Sequence, residues 1–450
     1  MQNLTEGKEG KVIISFALPM LVGNVFQQLY TTVDSVIVGQ GVGKEALAAV
    51  GASFPIVFLM ISLVMGITMG ASVVLSQFFG ARDFESLRRT RDTTYIFLFA
   101  ASIAVTFIGL AASGPILRAV RVPDEIYEPA KQYLEIMFIG MVFLFGYNTV
   151  SAVMRGLGDS KHPLYFLIIA TVVNIVLDLV FVLVFGWGIA GAAWATVISQ
   201  GLSFIIGVAY MQRSGHEYLR TDLRRMRFDR GLFRTVLKIG LPSGIQQSLV
   251  SLGFVALTRI VNPFGTSVVA GYTAANRLDT FASMPAMNIS MALATFVGQN
   301  LGAGKPERVK HGFRSALAVS TLLSVTVAAV MVVFRQPLIS IFSTDPEVIR
   351  IGSEYLVIVS VFYPVFSGMF ITGGVLRGAG DTMIQMLFSL LALWIIRIPL
   401  SAVLSGVLGT QGIWWGIPAG WIVGLTANFL YYRSGRWKTK VVTGRMVGPK

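Results

Sequence analysis

The chain has 450 residues, 54% hydrophobic and only 13% charged, with a mean hydropathy of +0.71 and a formal net charge of +14. Soluble domains carry about 25% charged residues, whereas here apolar runs of about 20 residues recur along the whole length, the mark of a polytopic helical membrane protein. The runs lack the two-residue alternation of barrel strands, the basic residues fall in alternate loops rather than on a nucleic-acid face, and the lack of cysteine excludes disulfide and thiol chemistry.

The pattern predicts twelve helices, at 12–38, 48–79, 94–119, 130–154, 163–185, 189–212, 234–261, 268–300, 312–334, 350–376, 383–407 and 411–432. The first has no convincing cleavage site and reads as a retained helix rather than a signal peptide. It carries Pro19, which cannot donate to the helix ladder and makes a weak point. It also carries Asp34 well inside the apolar run, where an aspartate costs about 2.5–3.5 kcal/mol at mid-bilayer. A kinked helix bearing an acid suits the coupling element of a membrane transporter.

Of the 36 Lys and Arg, 27 lie in the N-terminal segment, the loops after helices 2, 4, 6, 8 and 10, and the tail; 6 lie in the opposite loops and 3 within helices. That bias puts both termini in the cytoplasm. His162, His216 and His311 fall in predicted loops without metal-ligand spacing. The basic stretch 213–233 also divides two similar halves. R-G-L-G-D-S at 155–160 returns as R-G-A-G-D-T at 377–382, and Q-F-F-G-A at 77–81 as Q-N-L-G-A at 299–303. Leu18-Pro19 returns as Leu241-Pro242 and Tyr133-Leu134 as Tyr355-Leu356, all at an offset of 222 or 223. Four matches at one spacing indicate internal duplication. Six helices per repeat insert the same way up, so the halves are expected to be related by a pseudo-two-fold axis along the membrane normal, with a cavity between them. The glycine-containing loops read as tight turns with glycines at positive φ, lacking the strand–loop–helix context of a nucleotide site.

Few charges fall clearly inside helices: Asp34, Asp178, Arg259, Arg277, Asp279 and Arg397. Asn174 precedes Asp178 by one turn on the same face. Thr196 lies on the small-residue run of helix 6, which permits close packing. Asp34, Asn174, Asp178 and Thr196 could hold Na⁺, share a proton, or form an interhelical hydrogen-bond network that only glues the lobe. Proton exchange would ask a carboxylate of ordinary pKa near 3.9 to titrate near neutral pH, about 4 kcal/mol of differential stabilisation. Asp34 and Asn174 map near Leu257 and Ile396, so the second half lacks matching acids and the coupling site is expected in the first half alone. Arg397 reads as a structural or field-setting charge, and Arg277 and Asp279 as lying close to a helix start, within reach of water. Gln27, Gln28, Tyr30, Tyr147, Asn148, Gln246, Gln247 and Tyr363 are candidate cavity residues, with Met284, Met287 and Met291 as a helical stripe that is either adaptable lining or ordinary packing.

The six-plus-six repeat, the early Leu-Pro of helices 1 and 7, V-D-S-V-I-V-G at 33–39, R-G-L-G-D at 155–159, N-I-V-L-D at 174–178 and the Q-x-x-G-A loops resemble the multidrug and toxic compound extrusion transporters over nearly the whole chain. The resemblance implies antiport of organic cations or other xenobiotics against H⁺ or Na⁺, a V-shaped two-lobed fold, and no cofactor beyond the coupling ion. The chain is similar to the branch whose cation site lies in the N-terminal lobe, which places that site on Asp34, Asn174, Asp178 and Thr196 and implies bending of helix 1 at Pro19. The branch with acids in the C-terminal lobe fits less well, since helices 7 and 10 have Gln246, Gln247, Val250, Tyr363 and Pro364 there.

The expected organisation is an all-α membrane protein with an N-lobe at 1–212, a basic linker at 213–233, a C-lobe at 234–432 and a basic tail at 433–450. It is expected to be a monomer in the inner membrane of a prokaryote, meeting small molecules and lipid but no nucleic acid. The rivals are a flippase for lipid-linked sugars, disfavoured by twelve helices and N-lobe acids, and a membrane-embedded transferase, for which no convergent acidic or histidine cluster is present.

Overall fold

The computed structural model describes residues 2–216, 218–222 and 224–443. The predicted linker therefore lies outside the described residues at 217 and 223, and the predicted tail at 444–450. Sixteen α-helices follow in chain order: α1 Glu9–Gly41, α2 Lys44–Ala81, α3 Phe84–Ala119, α4 Asp124–Ile139, α5 Met141–Gly156, α6 Lys161–Asp178, α7 Gly188–Arg213 and α8 Arg230–Val261 in the first part. They continue as α9 Thr266–Gly302, α10 Pro306–Val333, α11 Arg335–Ser340, α12 Pro346–Ser360, α13 Tyr363–Ala379, α14 Thr382–Leu390, α15 Ile398–Leu408 and α16 Thr410–Ser434. Wide π turns at Leu179–Val184 extend α6, and others at Leu391–Arg397 join α14 to α15. No strand occurs among the described residues. Ten helices are long and apolar enough to cross a bilayer, or up to twelve with each bent pair taken as one span.

The bent pairs refine the predicted pattern. The run 130–154 breaks at Gly140 into α4 and α5 at 48°, and the run 350–376 breaks after Ser360 into α12 and α13 at 51°. Pro364, in the first turn of α13, has no N–H for the carbonyl of Ser360, which accounts for the second break. Helix α3 begins ten residues before the predicted 94 because Asp83 caps it, accepting from the Ser86 backbone N–H. Hydropathy marked the apolar stretch and missed the polar turns beyond it. Arg91, predicted in a loop, is instead buried in α3, paired with Asp92 and donating to the Tyr218 and Arg220 carbonyls of the linker. His162 and His311 likewise lie in the first turn of α6 and the second turn of α10 rather than in loops.

The chain forms two compact units: residues 1–2, 19–79 and 83–244, and residues 3–18, 80–82 and 245–450. The first is built around Leu98, Leu117, Leu134, Phe138, Met141 and Phe145. The second is built around Tyr272, Ile339, Tyr355, Leu356, Ile413 and Trp414, with α9 packed on α10, α12 and α13. Large side chains such as Phe107, Val184 and Val407 remain more than two-thirds exposed; in hydrocarbon an outward apolar face carries no penalty. In the first unit the α2 and α8 backbones nearly touch at Gly66 and Gly244, where an added Cβ would lie 2.4 Å from backbone atoms. Gly158 and Gly380, in the repeated R-G-x-G-D turns, take φ of +83° and +92°, as the turn reading expects.

Candidate functional site

Four helices of the first unit converge on the predicted acids. Helix α1, 33 residues and about 50 Å long, carries Tyr30 and Asp34 one turn apart. Helix α6 carries Asn174 and Asp178 on one face, both fully buried, and its wide turns begin directly after Asp178. Helix α7 supplies Thr196, 7% exposed. Helix α4 supplies Tyr133, whose predicted significance had been only as a repeat marker. The α6–α7 packing holds the last two helices of the set together.

The Asp34 and Asp178 side chains face each other, and no hydrogen bond joins them directly. As carboxylates they bring only acceptors to that approach. Tyr30 and Thr196 hydrogen-bond through their hydroxyls at 2.9 Å, and Tyr30 and Tyr133 both stand within the electrostatic field of the two acids. Asp34 Oδ1, both amide atoms of Asn174 and both carboxylate oxygens of Asp178 are buried without a hydrogen-bond donor or acceptor partner among protein atoms. Buried polar atoms are nearly always satisfied, and two neighbouring carboxylates in low dielectric require a positive charge. Asp34 and Asp178 oxygens, Asn174 Oδ1 and Thr196 Oγ1 form a hard-oxygen set that suits a small monovalent cation, while the closeness of the two carboxyl groups suits a shared proton.

The other sequence candidates are more scattered. Gln27, Tyr30 and Tyr147 line a small cavity of about 30 Å³ with Thr171, Ser199 and Gln200, room for about one water. Gln28 is half-buried, and its backbone carbonyl accepts from Thr31 and Thr32. The Asn148 amide donates to its own helix at Leu144. In the second unit, Gln246 donates to Ser389 at 2.8 Å, and Gln247 is exposed. The methionine stripe is split: Met284 is buried, while Met287 and Met291 are exposed. Tyr363 is buried beside Asp279, not on a free surface. Pro19 lies inside α1, at the residue where that helix passes from the second unit into the first.

Bent, proline-bearing helices long and apolar enough to cross a membrane, with two acids facing each other inside the bundle, have the make-up of an integral membrane transporter. The sequence profile of the MatE family matches residues 19–180 and again 242–403, one match per half at an offset of 223. The chain belongs to this family, the multidrug and toxic compound extrusion transporters, and is a transporter rather than an enzyme. It is 36% identical over 437 residues to the probable multidrug resistance protein YpnP of Bacillus subtilis (strain 168), covering 97% of each. It is 33% identical over 436 residues to the probable multidrug resistance protein YoeA of the same organism, covering 95% of this chain and 94% of that one. A solved structure described as the outward-facing conformation of a multidrug resistance MATE family transporter of the MOP superfamily shares the fold, with a TM-score of 0.90 at 24% identity over 96% of this chain and 97% of that chain.

Proposed function

We propose that the protein is a multidrug efflux antiporter that exports organic cations or other xenobiotics in exchange for H⁺ or Na⁺. The observation that carries this reading is the acid pair Asp34–Asp178, half-buried and fully buried respectively, whose inward oxygens lie beside the Asn174 amide without protein hydrogen-bond partners. The names of the Bacillus subtilis relatives support the drug class. In the proposed cycle a proton or Na⁺ occupies Asp34 and Asp178, with Asn174 and Thr196 completing the oxygen set. Occupancy favours one conformation of α1, which bends at Pro19, and substrate leaves to the outside by alternating access. Gln27, Gln28, Tyr30, Tyr147, Asn148, Gln246, Gln247, Met287 and Met291 are the proposed substrate contacts; Tyr363 and Met284, buried in the second unit, are not among them. The protein is proposed to work as a monomer in the inner membrane of a prokaryote, with both termini cytoplasmic, as the basic loops favour.

The test is ethidium efflux from proteoliposomes under an imposed pH or Na⁺ gradient, comparing wild type with Asp34→Asn. Efflux that follows one gradient and disappears in the variant supports antiport through the first unit and identifies the ion. Undiminished efflux in the variant removes Asp34 from the coupling path. A wild type inert under both gradients favours the lipid-linked sugar flippase instead.

A further inference from the structure

The second unit contains an acid that the sequence pattern leaves unexplained. Asp279 had been expected near a helix start, within reach of water. The structure places it 13 residues after Thr266, the first residue of α9, about 20 Å along the helix. The Tyr355 hydroxyl, fully buried on α12, donates to Asp279 Oδ2 at 3.3 Å. The Tyr363 hydroxyl, on the first residue of α13, faces the same carboxylate without closing a hydrogen bond. Arg397, nine-tenths buried, lies within electrostatic range but outside ion-pair distance. Its guanidinium sits 5.7 Å over the Phe254 ring, and its Nε has no acceptor. Tyr272, stacked on Trp414, completes the titratable and charged groups around Asp279.

This constellation repeats the geometry of the first unit. Tyr355 is the repeat partner of Tyr133, at an offset of 222, and Tyr133 stands beside the Asp34–Asp178 pair. Arg397 follows Ile396, the position to which Asn174 maps at the offset of 222. Both units thus present a tyrosine from the first segment of a broken helix, a buried polar side chain from a helix with wide turns, and a carboxyl group. Only the helix that supplies the acid differs: α1 and α6 in the first unit, α9 in the second. Comparison of the halves residue by residue therefore finds no matching acid, although the folded units both hold one.

We propose that Asp279 is a second proton-binding site of the transporter, in the second unit, with Tyr355, Tyr363 and Arg397 as its positioning residues. The chemistry supports both charge states. The ionised carboxylate has the Tyr355 donor, the unpaired Tyr363 hydroxyl beside it, and a guanidinium whose charge offsets its own. The protonated acid can donate to the open oxygen of Tyr363 while still accepting from Tyr355. The guanidinium and the single carboxylate disfavour a metal cation, so the ligand is a proton. Tyr355 and Tyr363 flank the 51° break between α12 and α13, so the proton changes the hydrogen bonds across that break. The inference deepens the proposed antiport by adding a second site to it.

Infrared pH-difference spectroscopy of the protein in liposomes tests it, without drug or sodium. The comparison is between the Asp34→Asn/Asp178→Asn double variant and the same chain with Asp279→Asn added. Loss of one further protonated-carboxyl band on adding Asp279→Asn is the expected result. Identical carboxyl regions in the two variants overturn the proposal. Should the triple variant fail to fold, Tyr355→Phe in the double-variant background serves instead: it removes one hydrogen bond and is expected to shift the band, whereas an unmoved carboxyl region overturns the assignment. Neither readout depends on efflux, so a failure here leaves the antiport reading standing, and a failure of gradient-driven efflux leaves this one testable.

Discussion

Asp34 and Asp178 face each other through atoms that can only accept, and the Tyr30–Thr196 hydroxyl pair stands beside them. Tyr30→Phe removes that bond while keeping the ring. A hydrogen bond of this kind is worth about 1 kcal/mol net, or about fivefold in affinity. The concentration of coupling ion that half-saturates efflux should rise by about fivefold in Tyr30→Phe, and Thr196→Ala should add little to it, because each removes the same interaction. An unchanged half-saturation, or full additivity in the double variant, would place the pair outside ion binding. The acids themselves were legible in the sequence, since a carboxylate in a twenty-residue apolar run stands out against its cost. Tyr133 was not: a tyrosine in such a run is ordinary, and only folding brings it to α1 and α6. Asp279 was visible as a charge, but its depth depended on α9 starting at Thr266 behind Gly265.

Among helices, the breaks matter most. The hydropathy pattern runs each broken pair together: Pro364 stands at the break between α12 and α13 inside the predicted helix 350–376, and the break at Gly140 has no proline. The wide turns at Leu179–Val184 and Leu391–Arg397 carry no sequence signature. Pro19 was legible and lies inside a continuous α1, where it removes one ladder bond. Pro19→Ala restores the donor and stiffens the helix. The variant should bind the coupling ion with near wild-type affinity, measured by ion-induced thermal shift, yet lose most of its gradient-driven ethidium efflux. Wild-type efflux in that variant would sink the bending step while leaving the antiport intact.

For the whole molecule, duplication was the most legible feature, from four short matches at one spacing, and the two family matches repeat that spacing. Less legible was which stretch belongs to which unit. The start of α1, residues 9–18, belongs to the second unit, and residues 230–244 of α8 belong to the first. Residues 4–9 are fixed within the second unit: Gln299 and Asn300 hold the Leu4 backbone, Lys305 donates to the Thr5 carbonyl, and Arg308 pairs with Glu9 at 3.2 Å. Residues 1–215 and 216–450 made as separate chains should each give little folded protein alone and reconstitute transport when co-expressed, read by detergent-stable yield and by efflux; a stable, monodisperse half produced alone would contradict this. The same exchange bears on ancestry. A gene for one half would have encoded a product whose opening turns had no place in its own unit, with a second copy needed to receive them. Duplication and fusion, on this view, put into one reading frame a partnership that two identical chains already had.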